Sequence, residues 1–194
     1  MAACYEGSIC HNEDTIHDLF RTQYVTYSMG RVIAAAAVGA ALAAAALFAP
    51  LPMYAQGMLM LFGCLLFAGR EFPAALRAED TLEARKGALP DVQTRFYSGH
   101  MEVQEGKAHK KFRYEKLDRL VQDKNHLYLF LGPDSVVMVD RTSLPEGCEQ
   151  QLMELVQKRS GKNWEQPISL LTLNLRDLVR MHQSSKKAAK SRKS

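Results

Sequence analysis

Charged residues are missing from one long stretch of this chain. No Asp, Glu, Lys or Arg occurs between Val32 and Gly69. A helix rises about 1.5 Å per residue, so the apolar runs Val32 to Ala49 and Leu51 to Gly69 are each about 27 Å long, close to the bilayer hydrocarbon thickness of about 30 Å. A helix in the core of a soluble bundle would normally keep a charged stripe, which this stretch lacks. Residues 32–69 therefore predict a transmembrane helical hairpin.

Positive charge is also missing from the connection between the two runs. Leu51-Pro52 joins them, whereas Arg31 precedes the hairpin and Arg70 follows it. Because short loops rich in Lys and Arg stay cytoplasmic, we expect a multi-pass protein of the cell membrane with both termini in the cytoplasm. We do not expect a cleaved signal peptide, because residues 1–31 are mixed and polar and a second apolar run follows the first at once.

Large side chains are scarce in the first apolar run, in which alanine dominates. Ala35, Gly39 and Ala43 recur every four residues and form a small-residue groove along one helix face. Such grooves let two helices approach closely where no hydrophobic force drives them together. We predict that the groove packs against the bulkier second helix, and contact with a second copy of the chain, a homo-oligomer, stays open as the alternative.

Patterns typical of catalytic or metal sites are missing as well. No Gly-rich phosphate loop occurs, and the cysteines are scattered as expected for reduced cytoplasmic thiols: Cys4, Cys10, Cys64 and Cys148. Two weaker groupings exist, Cys10-His11 with His17 as metal ligands and His100, His109 with Cys148 as a thiol dyad. The spacing of Cys10, His11 and His17 matches no standard zinc site. The second grouping needs no catalytic role, because a cysteine at a helix start and solvent-facing histidines are ordinary structural positions. We therefore expect no enzyme activity, no cofactor and no metal.

A basic excess is missing from the body of the chain, although its formal net charge is +4. Residues 70–185 carry 18 bases against 17 acids, so we expect no nucleic-acid partner. The excess lies in the tail, residues 186–194, which predicts a disordered, solubilising end. The alternative is that five cations of the tail bind the lipid surface, each contributing up to about 1 kcal/mol: Lys186, Lys187, Lys190, Arg192 and Lys193.

The remaining segments predict helices on both sides of a β-rich region. Residues 1–31 hold an amphipathic lead-in helix that begins at Asn12, and residues 70–90 form a helical linker. In residues 91–160, short β-rich runs alternate with turn residues and a helix follows, which predicts a small α+β domain of six antiparallel strands and a capping helix. Residues 161–185 predict a further amphipathic helix, packed on this domain or lying on the membrane.

Four segments of the β-rich region carry a family resemblance: Phe96 to Val103, Phe112 to Leu120, Leu127 to Leu131 and Val136 to Arg141. With the acidic lead-in and the hairpin, they resemble the YcxB-like protein family over residues 10–160. The resemblance implies a two-helix membrane hairpin followed by a cytoplasmic domain with a pleckstrin-homology-like (PH-like) β-meander. Tyr114 departs from the family pattern, in which tryptophan is common, and the segment from Trp164 onward lies outside it. Because the family's function is poorly defined, the resemblance implies architecture and little mechanism.

The function that we predict follows from the membrane anchor and the missing catalytic groups. A non-enzymatic, membrane-anchored cytoplasmic module would bind a protein segment or a lipid headgroup through an exposed strand edge or a groove. Its partners would be membrane lipids and an unknown protein. The alternative is a helical-hairpin accessory or oligomeric subunit of a larger transporter or envelope complex.

Overall fold

The structure is a computed structural model that describes residues 4–86, 88–145 and 147–166. Its α-helices are α1 (Glu13–Phe48), α2 (Met53–Ala68), α3 (Phe72–Arg85) and α4 (Cys148–Ser160). Its strands are β1 (Tyr5–Ile9), β2 (Val92–Phe96), β3 (His100–Glu105), β4 (Ala108–Arg113), β5 (Arg119–Gln122), β6 (His126–Gly132), β7 (Ser135–Asp140) and β8 (Trp164–Glu165). The helix predicted within residues 161–185 and the basic tail at 186–194 lie outside the described residues from residue 167 onward.

Helix α1 runs from the lead-in segment into the first apolar run. It begins at Asn12, as predicted: the Asn12 side chain accepts a hydrogen bond from the Thr15 backbone N–H, and the Thr15 hydroxyl accepts one from the Asn12 N–H, both at 2.8 Å. Inside α1, helical geometry is lost at Ser28 (φ −120°, ψ 24°), where the helix kinks. The kink therefore lies close to Arg31, the last charged residue before the apolar run.

Helices α1 and α2 form the predicted hairpin, and their backbones approach closely at two glycines. A Cβ placed on Gly39 would lie 2.8 Å from the Gly63 carbonyl oxygen, and one placed on Gly63 would lie 2.8 Å from the Gly39 carbonyl oxygen. The outward-facing apolar side chains stay exposed, among them Phe48 (85%) and Met53 (89%). An exposed apolar surface of this kind is typical of a segment covered by lipid or by another protein.

The linker predicted at residues 70–90 is helical, but it is separated from α2. A 3₁₀ turn at Gly69–Glu71 intervenes before α3 begins. Pro73 lies in the first turn of α3, where its missing N–H costs no helical hydrogen bond. Helix α3 ends at Arg85, and Lys86 adopts the left-handed conformation (φ 49°) that closes many helices.

The strands form two four-stranded sheets, in the orders β1-β2-β3-β4 and β7-β6-β5-β8. All pairings are antiparallel except that of β8, which runs parallel to β5. Six of these strands were predicted, and the structure adds β1 and β8 from segments outside residues 91–160. The predicted class, an apolar helical hairpin with a small α+β domain that ends in a helix, is confirmed.

Strand β6 is buried on both faces. On one face Leu127 and Leu129 belong to a core between the sheets and α4, which contributes Leu152. On the other face Tyr128 and Phe130 pack in a second core, to which α1 contributes Leu19 and Tyr27 from its N-terminal half. The α+β domain is thus anchored to the same helix that continues into the apolar hairpin.

Candidate functional site

The junction between α1 and the second sheet is built around Tyr27. The edge of the Tyr27 ring packs on the Phe130 ring, with centroids 5.6 Å apart and planes 76° apart. Its hydroxyl donates a hydrogen bond to Asp118 Oδ2 at 2.7 Å. Arg119 lies over the ring, 5.6 Å from its centroid, and donates to the Thr26 carbonyl oxygen at 3.2 Å. Hydrophobic, polar and cation–π contacts therefore hold the same point of α1 to the sheet.

The tyrosines of the junction stay neutral at physiological pH. Burial and then the hydrogen bond to Asp118 raise the pKa of Tyr27 well above its ordinary value. Burial is also the main cause that raises the pKa of Tyr128, whose hydroxyl donates to Asp123 Oδ2 at 2.8 Å. These hydroxyls act as hydrogen-bond donors, and the raised pKa values argue against a role for either as a base or a nucleophile.

Helix α3 is fixed along the N-terminal half of α1. Arg21 Nε lies 2.7 Å from Glu71 Oε2, and His17 Nε2 lies 3.5 Å from Glu79 Oε1. Ala74 and Ala78 of α3 are buried, which lets the two helices pack closely. The result is a two-helix stalk that extends the hairpin and supports the sheets.

A cavity of about 540 Å³ opens where α1, α3 and the β6–β7 turn come together. This volume lies within the range of small-molecule sites. Gln23 of α1 donates to the Pro133 carbonyl oxygen and so ties the turn to the helix. We call this cavity the junction pocket; the polar side chains that line it besides Gln23 are Tyr24, Tyr27, Ser28, Arg31, Arg77 and Asp134.

The junction pocket contains two arginines that are not neutralised. In the described ranges, neither Arg31 nor Arg77 lies within 4.0 Å of a carboxylate oxygen. Most other arginines in the same ranges have such a partner: Arg21, Arg70, Arg85, Arg95, Arg119 and Arg141. Asp134 is the acidic residue in the lining, so the pocket carries two positive charges and one negative charge.

The histidines of the hypothetical thiol dyad share a carboxylate instead of a thiol. His100 Nε2 and His109 Nε2 lie 3.3 Å and 3.5 Å from the Glu102 oxygens. Desolvation acts to raise the pKa of Glu102, but the hydrogen bonds from His100 and Tyr97 and the charges of Lys111 and His109 together outweigh it, so the pKa falls below its ordinary value. Cys148 begins α4, and among the described residues its thiol makes no hydrogen bond to either histidine. The structure thus gives no support for a nucleophile–base pair.

The hypothetical metal ligands near the N-terminus have three separate environments. Cys10 donates to Asp91 Oδ1 at 2.7 Å, and this hydrogen bond is the main cause that raises the Cys10 pKa. His17 contacts Glu79, whereas the His11 Nδ1 atom is buried without a hydrogen-bond partner. Within the part of the chain that the structure describes, no group of three or more His, Cys, Asp or Glu side chains could hold a metal ion.

The small-residue groove of the first apolar run lies against α2 at two of its three positions. Gly39 faces Gly63, and a Cβ on Gly63 would lie 3.0 Å from the Ala43 nitrogen. Ala35 is half-buried. At the turn of the hairpin, Gln56 Nε2 donates to the Ala49 carbonyl oxygen at 3.3 Å and so links the two helices.

Comparison with known proteins gives a family match for part of the chain. Residues 96–156 match the model of the YcxB-like protein family. The predicted resemblance is therefore confirmed for the segment from the end of β2 to most of α4, and the match does not extend to the hairpin. No curated protein and no solved structure shows significant similarity to the chain. The PH-like fold stays a prediction.

The junction pocket was not predicted from the sequence. Arg31 was used only as a marker of topology, and Arg77 and Asp134 belong to no recognisable motif. Their common location depends on the packing of three segments that are far apart in the chain. A cation directly before a long uncharged run was the one local signal that pointed toward the pocket.

Proposed function

We propose that the chain is a membrane-anchored, non-enzymatic module that presents its α+β domain at the cytoplasmic face of a membrane. Two helical stretches are long and apolar enough to cross a membrane, Glu13–Phe48 and the stretch Met53–Arg85 that includes α2, the 3₁₀ turn and α3. Only 17% and 11% of their most apolar windows are buried. The observation that carries the proposal is the arrangement of α1 around its kink at Ser28. Tyr27, directly before the kink, holds the sheets, and the residues after the kink enter the hairpin, so the domain is attached to its anchor without a loop between them.

The edge of strand β4 is the surface best suited to a protein partner. In the described sheet order, β4 pairs only with β3, so one side of its backbone is open. An open edge can accept an extended segment as an additional strand. Lys110, Lys111 and Arg113 are exposed along this strand, so the partner segment that fits best is extended and acidic. The basic side chains also discourage pairing between two copies of the chain.

A photo-crosslinking residue at position 108 of the full chain, which replaces the exposed Ala108 at the start of β4, tests this surface in the native membrane. We expect it to capture a protein that the same residue at position 158 of α4 does not capture. Lys110→Glu with Arg113→Glu should abolish capture, because the reversed charges repel an acidic segment. The matched control, Lys158→Glu with Lys162→Glu, makes the same charge change at exposed positions away from β4 and should leave capture unchanged.

Equal loss of capture in both double variants would reject the β4 edge as the binding surface. Point variants are preferable to removal of residues 91–160, because β1 pairs with β2 and would lose its partner in such a deletion. The enzyme class is tested in parallel. If Cys148→Ala or His109→Ala abolished a measurable function while the protein stayed folded, the non-enzymatic proposal would be wrong.

The second hypothesis, a hairpin subunit of a larger complex, has less support. Its motivation was the groove of Ala35, Gly39 and Ala43, yet Gly39 and Ala43 lie against Gly63 of the same hairpin. The exposed apolar side chains, such as Phe62 and Leu65, are as well suited to lipid as to another helix. The β4 edge and the direct attachment of the domain to α1 therefore favour the binding module.

A further inference from the structure

We propose that the junction pocket binds the phosphodiester headgroup of a membrane phospholipid. The inference rests on the proposed insertion of the hairpin into a membrane, but it does not depend on the β4 edge. The proposal specifies the class of ligand, the position of the pocket relative to the bilayer and the side chains that donate hydrogen bonds.

The pocket lies at the depth where headgroups are found. Arg31 lines the pocket and directly precedes Val32, the first residue of the uncharged run. At about 1.5 Å per residue, the segment of α1 from Tyr24 to Arg31 rises about 10 Å from this boundary. The headgroup layer on one side of a bilayer is about 5 to 8 Å thick. The pocket therefore opens beside the headgroups of the cytoplasmic leaflet.

The charges of the pocket suit a phosphate group. Arg31 comes from α1 and Arg77 from α3, so two arginines line the same cavity from different helices. Guanidinium groups bind phosphate oxygens through paired, charge-assisted hydrogen bonds. Neither arginine has a carboxylate partner in the described ranges, so a phosphate would not have to displace an existing ion pair.

The hydroxyl groups of the lining supply further donors. Tyr24 and Ser28 border the pocket, and within the described part of the chain neither hydroxyl forms a hydrogen bond. Ser28 is the residue at which α1 loses helical geometry. The kink thus coincides with the pocket.

Asp134 defines which headgroup fits. It contributes a negative charge from the β6–β7 turn, so the pocket has an excess of one positive charge. This excess balances the single negative charge of a phosphodiester. The Asp134 carboxylate accepts hydrogen bonds from headgroup hydroxyls and repels a second anionic group. Phosphatidylglycerol, with one phosphodiester and two hydroxyls, has this chemistry, and phosphatidic acid, which carries extra negative charge, does not.

The test uses the full chain, purified in a neutral detergent and titrated with short-chain phosphatidylglycerol. Arg31→Gln with Arg77→Gln should weaken binding about tenfold or more, because two charge-assisted interactions are lost. The matched control, Lys158→Gln with Arg159→Gln, removes two exposed positive charges that have no carboxylate partner in the described ranges. We expect the control to change the affinity less than twofold.

Two outcomes would overturn the proposal. Equal weakening in both double variants would show attraction by overall charge rather than a site. Soluble glycerophosphoglycerol bound as tightly as the lipid would show that the site takes a free phosphate ester. Asp134→Asn should raise the relative affinity for phosphatidic acid, and an unchanged ratio would contradict the role given to Asp134. Lys110→Glu with Arg113→Glu should keep lipid binding, so failure at the pocket and failure at the β4 edge are distinguishable.

Discussion

Gly39 and Gly63 bring the backbones of α1 and α2 together, and a Cβ on either glycine would lie 2.8 Å from the carbonyl oxygen of the other. Because that separation is shorter than real Cβ contacts, a larger residue forces the helices apart. We predict that Gly39→Leu lowers the stability of the hairpin by about 1–3 kcal/mol. Thermal unfolding of the full chain in detergent measures the loss.

Gly57→Leu is the control for this prediction. Gly57 lies in the same hairpin, on α2, and a Cβ there would meet no atom within 4 Å. The melting temperature of the Gly57→Leu variant should match that of the unchanged chain. If Gly39→Leu left the melting temperature unchanged and instead dissociated an oligomer, the groove would serve contact between chains, as the second hypothesis requires.

The hydrogen bond between Tyr27 and Asp118 predicts that removal of the Tyr27 hydroxyl weakens the attachment of the sheet to α1. Tyr27→Phe keeps the packing on Phe130 and the ring below Arg119 but leaves Asp118 Oδ2 without its donor at 2.7 Å. A hydrogen bond to a charged group contributes about 1.5–3 kcal/mol, and the exposure of this bond places the loss at the lower end. Hydrogen exchange should accelerate in β5 and β6, where the sheet contacts α1.

Tyr54→Phe provides the comparison for Tyr27→Phe. Tyr54 is 77% exposed at the start of α2, and its hydroxyl has no hydrogen bond to the described residues. The hydrogen-exchange pattern of the Tyr54→Phe variant should match that of the unchanged chain. Acceleration in both variants to the same degree would mean that the domain is not held by the junction.

The hairpin and most of the strands could be predicted from the sequence because their signals are local. The uncharged run from Val32 to Gly69 and the alternation of β6 each depend on neighbouring residues. Strand β1 could not be found in this way. Its register, from Tyr5 with Phe96 to Ile9 with Val92, joins segments separated by the whole hairpin. A short strand has weak local preference, and its partner decides its structure.

The candidate site was less predictable than the fold for the same reason. Arg31, Arg77 and Asp134 are ordinary surface charges in the sequence, and only the docking of the sheet on the helical stalk brings them to one pocket. The position of β8 likewise depends on a parallel pairing between Leu120 and Trp164 that no local pattern indicates. Side chains gathered from distant segments leave no spacing motif to read.

Gly7 provides a test of the unpredicted strand β1. A Cβ at this position would lie 2.6 Å from Val139 Cγ1 and 3.0 Å from Leu144 Cδ2. Gly7→Ala should therefore push β1 away from β7 and destabilise the domain by about 1–3 kcal/mol, measured by denaturant unfolding. Gly99→Ala, where a Cβ meets nothing within 4 Å, should have little effect. Equal stability of the two variants would mean that β1 does not pack against β7.

The lowered pKa of His11 predicts that the domain loses stability in mild acid. Burial is the main cause that lowers its pKa below the ordinary value of 6.5, and the nearby charges of Arg85 and His126 act in the same direction. Glu105 and Asp91 oppose them without reversing the shift. Because the unfolded chain binds the proton more readily than the folded one, stability is complete above about pH 6.5 and falls as the pH drops toward the lowered pKa of the folded state.

Substitution of His11 tests this origin of the acid sensitivity. His11→Gln removes the titrating ring, so the loss of stability between pH 7 and pH 5 should become smaller than in the unchanged chain. Denaturant unfolding at several pH values measures this variant beside the unchanged chain. An identical pH dependence in the unchanged chain and in His11→Gln would show that His11 is not the group whose protonation opposes folding.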